Sequence, residues 1–164
     1  MNQDKLMETL AGIRFLHGVS REHLEQIAAA AQMCDLSESD VVFREGEIAK
    51  SIYFVVSGKL ELELSPSTME CKHLVTVGSG EMLGWSSLAE YPRFAATAVI
   101  VEPTQLIRVD GSRLQAMCDE DPQFGYEFMR RTMLALAKRL TTTWTQLSQL
   151  QVSHYLPVTA RAGE

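Results

Sequence analysis

Six short apolar runs between residues 41 and 109 constrain this chain more than any other feature of it. They are Val41–Phe43, Ile52–Val56, Leu60–Leu64, Leu74–Val77, Ala95–Val101 and Leu106–Val109. Each is too short for an ordinary globular helix. Turn-forming residues separate them: Glu45-Gly46-Glu47, Ser57-Gly58, Ser65-Pro66-Ser67, Gly78-Ser79-Gly80 and Glu102-Pro103. Leu60 to Leu64 alternates cleanly, which buries one face and turns Glu61 and Glu63 to water. Short strands at this spacing predict a mainly β architecture, a jelly-roll-like β-barrel.

Helical periodicity brackets the strands. Leu6, Leu10, Ile13 and Leu16 recur at helical spacing over residues 3–16, and Gly18 interrupts them. Ser20 is a suitable cap for a second helix from Arg21 to about Ala31, with Leu24, Ile27, Ala28 and Ala31 as its buried stripe. After Asp110, residues Ser112 to Cys118 fit a short helix. Asp121-Pro122 then opens a long one reaching about Gln151, with proline in the first turn. The long helix carries Met133, Leu136, Leu140, Thr143, Leu147 and Leu150 at alternating three- and four-residue steps. Such a seam predicts a parallel homodimer; the competing reading lays the helix along its own barrel. The expected organisation is a helical segment at 1–32, a β-barrel at 33–110 with a ligand cassette at 80–98, C-terminal helices at 111–152 and a tail at 153–164, all in a single domain around one core.

Charge and composition exclude several function classes. The formal net charge of −6 argues against a broad basic face for nucleic acid. The first residues lack a basic segment leading into an apolar one, and no apolar run approaches a membrane span. Cys34, Cys71 and Cys118 are odd in number and far apart, as expected of reduced thiols in a cytoplasmic protein with no membrane association. His17, His23, His73 and His154 show no paired ligand spacing, so no metal is expected, which also weighs against a metal-dependent jelly-roll enzyme. No cysteine has a base beside it, and Asp119-Glu120-Asp121 reads as a helix-start cluster rather than an acid–base pair. No catalytic residue is assigned.

The stretch from Gly80 to Ala98 is the candidate site. A short strand leads to Gly84, one helical turn starts near Ser86, and Pro92 closes the following loop. Glycine before a one-turn helix lets backbone approach a ligand, with Ser86, Ser87 and Arg93 available to an anion. The competing reading is a tight turn with two helix-capping serines and a surface arginine.

Together these features resemble the cyclic nucleotide-binding domain of the Crp–Fnr type. The resemblance is carried by Val42 to Leu60, where a phenylalanine and an acidic-glycine turn precede an apolar strand ending in Ser57-Gly58. It is carried also by Gly80-Glu81-Met82-Leu83-Gly84 and by Pro92-Arg93 followed by Ala96-Thr97-Ala98, which look like the entry to and exit from the phosphate-binding cassette. It covers roughly residues 10–150. The resemblance implies a regulatory domain whose ligand, a cyclic nucleotide or another small anion, sits among Gly84, Trp85, Ser86, Ser87, Arg93, Phe94, Ala96 and Thr97, with Thr143 and Trp144 closing from the long helix. No other cofactor is implied.

Two departures fall on the ligand. Where the family places a glutamate for the ribose hydroxyl, this chain has Trp85, whose indole offers one donor and no acceptor. Where the family places an arginine for the cyclic phosphate, it has Phe94, with Arg93 one residue early. Trp85 is expected to plug the pocket, the competing reading being an aromatic at the core edge. Trp144 could stack on a base, fill the pocket or pack at the dimer seam. The family's DNA-binding helix-turn-helix does not follow the long helix, so direct DNA binding is not expected. The resulting expectation is a dimeric sensor that passes its state to a downstream protein partner by contact. A ligand-free adaptor on the same fold is the competing function.

Overall fold

A computed structural model describes residues 3–64 and 72–155, the side chains of 72–74, 147 and 149–155 excepted. Two helices, α1 (Gln3–Ala11) and α2 (Arg21–Ala29), precede strands β1 (Ala31–Leu36), β2 (Val41–Phe43), β3 (Ser51–Leu64), β4 (Lys72–Gly78), β5 (Met82–Leu83) and β6 (Thr97–Asp110). Helices α3 (Gly111–Glu120) and α4 (Pro122–Tyr155) follow. The Ser65-Pro66-Ser67 turn, Cys71 and the residues beyond 155 lie outside the described residues.

All strand pairing is antiparallel, in the order β1-β6-β3-β4, with β2 on β6 and β5 on β3. The architecture is the expected mainly β fold with flanking helices, but its sheet is an open path rather than a closed barrel. Two expected turns run straight through strands. Ser57-Gly58 lies inside β3 and Glu102-Pro103 inside β6, where the two strands face each other across a run of register shifts. Gly58 has φ +88°, and a Cβ there would stand 2.3 Å from Thr104 Oγ1 and 2.4 Å from the Pro103 carbonyl. Thr104 Oγ1 donates to the Glu102 carbonyl at 2.6 Å and accepts from Lys59 N–H at 2.9 Å. The glycine and proline therefore mark a bulged bend in one long ribbon.

Both helix boundaries near the N-terminus follow from caps and backbone geometry. Ser20 Oγ accepts from His23 N–H at 3.2 Å and starts α2, as its residue type predicts. Ile13 and Leu16 are buried, but Ile13 is the extended residue before a 3-10 turn (Arg14–Leu16) and Leu16 lies on that turn, not on a continuation of α1. Ala31 opens β1 instead of closing α2, because its backbone pairs with Val109.

Strand alternation sorts the apolar residues into two clusters on opposite faces of the sheet. Ile52, Phe54, Ile107 and Val109 face the helices, joining Leu10, Leu16, Ile27, Leu114 and Phe128. Val55, Leu60 and Leu106 face the interior of the roll, joining Phe43, Leu83, Phe94 and Ile100. The sheet thus divides what composition alone reads as one core.

The start of α4 is anchored in the helical layer. Asp121 Oδ1 accepts from the Gln123 and Phe124 N–H groups, capping the helix beside Pro122. His23 Nε2 lies 3.1 Å from Asp121 Oδ2, and its ring stacks on Phe124 with centroids 4.3 Å apart. Arg131 Nη1 donates to the Phe15 and His17 carbonyls at 2.9 and 2.6 Å. Beyond Thr132 the helix changes character and becomes the wall of the candidate site.

Candidate functional site

Gly84 is the hinge of the cassette. Its φ is +82°, and a Cβ would meet the Ser51 carbonyl at 2.7 Å and Tyr53 Cδ2 at 3.1 Å. Glycine alone suits both the left-handed backbone and the close approach to β3. The 3-10 turn Trp85–Leu88 follows immediately, one residue earlier than the serine predicted to start it.

A cavity of about 200 Å³ opens between this turn, the roll and α4. Gly84, Trp85, Ser86, Phe94, Ala95 and Ala96 line its cassette side. Phe43, Leu62 and Val75 line its floor, and Leu136, Arg139 and Thr143 its α4 side. Of the residues expected at the ligand, the structure therefore brings Gly84, Trp85, Ser86, Phe94, Ala96 and Thr143 together. Its volume lies below the range of about 300–1,000 Å³ common for small-molecule pockets.

Residue 94, where the resemblance leads one to expect an arginine, is aromatic. Phe94 is buried and stacks on Phe43, with centroids 3.8 Å apart and planes 10° from parallel. Arg93 does not slip inward to compensate. Residue 93 bridges Ile48, and Arg93 Nη1 donates to the Gly46 carbonyl at 2.7 Å, so its guanidinium fastens the loop after β2. Adjacent residues of an extended segment point to opposite sides, so burial of Phe94 turns Arg93 outward.

The remaining expected residues have local roles. Ser87 Oγ is buried without a hydrogen-bond partner among the described residues, against Gly111 at the start of α3. Thr97 Oγ1 accepts from Glu45 N–H at 3.1 Å, and Thr143 Oγ1 donates to the Arg139 carbonyl at 3.0 Å. Trp85 is half-buried; it lines the cavity and also packs against the helical cluster, so both readings of it describe part of its surroundings. Trp144 is 60% exposed and is not among the residues lining the cavity.

Arg139 is the residue that sequence reasoning missed. It is the cation lining the cavity, and its Nη2 donates to the Met82 carbonyl. Burial lowers its pKa and the nearby Glu81 charge partly restores it. A guanidinium stays charged through such a shift. Its spacing of four from Thr143, one helical turn, is the signal that could have found it.

The seam read on α4 splits in three dimensions. Leu136 and Thr143 face the cavity, whereas Met133, Leu140 and Trp144 are exposed and continue a stripe from Tyr126 and Met129. The outward stripe is therefore rotated about the helix relative to the predicted one. Leu147 and Leu150 lie outside the described side chains.

Among the described residues no group of three or more His, Cys, Asp or Glu is placed to hold a metal ion, and no helix is long and apolar enough to cross a membrane. Burial pushes the Cys118 thiol up to about 11, which removes its thiolate at neutral pH.

Roll, glycine hinge, one-turn helix and long closing helix define a regulatory fold built around a cassette. The chain belongs to the cyclic nucleotide-binding domain family, whose pattern matches residues 34–121. It is 28% identical over 98 residues to the cyclic AMP receptor protein of Thermus thermophilus, covering 60% of this chain and 45% of that one. It is 23% identical over 143 residues to a CRP-like cAMP-activated global transcriptional regulator of Mycobacterium tuberculosis, covering 87% and 62%. A cyclic nucleotide-binding domain from Methylobacillus flagellatus superposes with a TM-score of 0.73 at 15% identity, over 96% of this chain and 86% of that one. The chain spans between 23% and 62% of the length of the curated relatives it matches.

Proposed function

We propose that this chain is a regulatory sensor module with an altered ligand pocket, acting as a homodimer and signalling to a downstream protein by contact. The observation that carries this reading is the division of α4. Leu136, Arg139 and Thr143 wall the cassette cavity, while Met133, Leu140 and Trp144 form part of an exposed apolar stripe on the same turns. A shift of the helix at one face is a shift at the other. An exposed stripe at steps of three, four, seven and four residues suits a second copy of the same helix. Ligand acts by population shift, favouring one setting of α4. Neither catalysis nor direct DNA binding is part of this reading, and its setting is the cytoplasm.

The altered pocket disfavours cyclic AMP in the family's standard mode. Phe94 replaces the phosphate cation, Trp85 replaces the ribose acceptor, and a ligand anion would meet Arg139 from α4 instead. The same filled aromatic position favours a second reading, a ligand-free adaptor whose α4 stripe alone binds partners.

A thermal-shift panel of cyclic AMP, cyclic GMP, cyclic dinucleotides and inorganic phosphate separates the two. Ligand at about a hundred times its dissociation constant adds roughly 2.7 kcal/mol of stability. The sensor reading expects a hit that also changes amide exchange along α4; silence across the panel leaves the adaptor. Sedimentation of Leu140→Glu tests the dimer: the native chain is expected to be dimeric and the variant monomeric. An unchanged sedimentation coefficient would remove the stripe from the reading.

A further inference from the structure

The cassette cavity is not the larger opening beside α4. A groove of about 480 Å³ lies on the neighbouring face of the helix, between α4, β4 and the turn leading into β5. Phe15, Val75, Met82, Leu134 and Ala135 give it apolar walls. Its volume falls within the range of small-molecule pockets, which the cassette cavity does not reach.

Charge distinguishes the groove further. Arg14, Lys138 and Arg139 all line it; Arg14 and Lys138 pair with one carboxylate, Glu81, and Arg139 donates to the neighbouring Met82 carbonyl. Lys138 Nζ lies 3.1 Å from Glu81 Oε1 and Arg14 Nη2 lies 3.7 Å from the same oxygen. Glu81 Oε2 accepts the Gly78 N–H at 3.0 Å, and Arg139 takes its compensating charge from Glu81. Partial burial opposes ionisation of Glu81, but the Gly78 N–H and Lys138 outweigh it and hold the carboxyl below its ordinary value. Two cations thus pair with one anion, and a third cation lies beside them, at the edge of an apolar groove. A second anion would meet uncompensated positive charge, and the adjoining walls would cover an apolar body attached to it.

We infer that this groove is a second ligand site, taking an amphiphilic organic anion: a carboxylate or phosphate head with an unbranched or flat apolar body. The head sits at Lys138, Arg14 and Arg139, and the body lies along Phe15, Val75 and Leu134. Because Arg139 and Val75 line both cavities, occupancy of the groove also acts on the wall of the cassette. The site stands independently of whether the cassette takes a nucleotide.

Titration calorimetry with octanoate, with 1-octanol and inorganic phosphate as controls, tests this on the whole chain. Saturable one-to-one binding of octanoate is expected, at least tenfold tighter than 1-octanol or phosphate. Arg14→Gln combined with Lys138→Gln is expected to weaken it at least tenfold. Ala135→Trp fills the groove and is expected to abolish binding, while Thr143→Leu, which narrows only the cassette cavity, leaves it unchanged. Circular-dichroism melting of each variant checks that it folds, and octyl phosphate repeats the titration with the other head group. No saturable binding of either amphiphile overturns the proposal, as does octanol binding equal to octanoate. Binding that survives Ala135→Trp and vanishes in Thr143→Leu assigns the anion to the cassette and overturns it equally.

Discussion

The cassette cavity and the groove lie on adjacent faces of α4 and share Arg139, yet they are furnished in opposite ways. In the cassette, the stacked pair Phe43–Phe94 lines the cavity, and Arg139 comes in from α4. In the groove, three cations line the wall and two of them pair with the single carboxylate Glu81 beside an apolar surface. A fold can keep the outline of its family's ligand site while its charge collects in the next cavity. Position within a fold therefore says where a ligand could sit, and side-chain chemistry says whether an anion is welcome there.

Phe94→Ala breaks the cassette side most severely. Its ring is 6% exposed and stacked, so truncation is expected to cost about 3–5 kcal/mol in urea denaturation while leaving octanoate affinity in the groove intact. A loss under about 1 kcal/mol would mean that the aromatic stack carries little of the packing there. Gly84→Ala is next. The left-handed backbone and the 2.7 Å approach to the Ser51 carbonyl predict a loss of about 1–3 kcal/mol by the same measurement. Full stability in that variant would show that the hinge tolerates a side chain and that the cassette is looser than its geometry indicates.

The smallest effect sharpens the groove side. Glu81 has a folded pKa below its ordinary value of 4.5, so its ionised form stabilises the fold. That contribution is complete above the unfolded value and is lost as pH falls through the folded one. Glu81 remains partly exposed, so solvent screening limits the contribution to less than about 1 kcal/mol. Urea midpoints measured from pH 6 down to pH 3 should fall more gently in Glu81→Gln than in the native chain. Parallel curves would dissociate Glu81 from Lys138 and Arg14.

What could be read in the chain was whatever depends on local order. Ser20 before a helical stripe and Asp121-Pro122 before α4 each report their neighbours alone, and each appears as expected; the alternation of Leu60 to Leu64 does not, because only Leu60 is buried and Glu61 to Leu64 are all half-buried. The expected turns at Ser57-Gly58 and Glu102-Pro103 failed for a nonlocal reason. Each accommodates the other across a ladder between strands some forty-five residues apart in the chain, as the Lys59–Thr104 bond shows. At the site, the replacement of the family's glutamate and arginine by Trp85 and Phe94 was plain in the residues, whereas the direction of Arg93 was not. A one-residue offset decides between inward and outward only once the flanking backbone is extended and Phe94 has found Phe43.

The sequence by itself determined the family, a strand-rich middle bracketed by helices, and the presence of Trp85 and Phe94 in the cassette, because periodicity, caps and motif residues act over a few positions. Tertiary structure alone decided which face of α4 meets the roll, and with it the assignment of Leu136 and Thr143 to a cavity and of Met133, Leu140 and Trp144 to solvent. It also decided that Arg14, Glu81 and Lys138 share one groove. Charges from three separate elements have no common signal along the chain; only packing of α4 against the roll brings them within ion-pair distance.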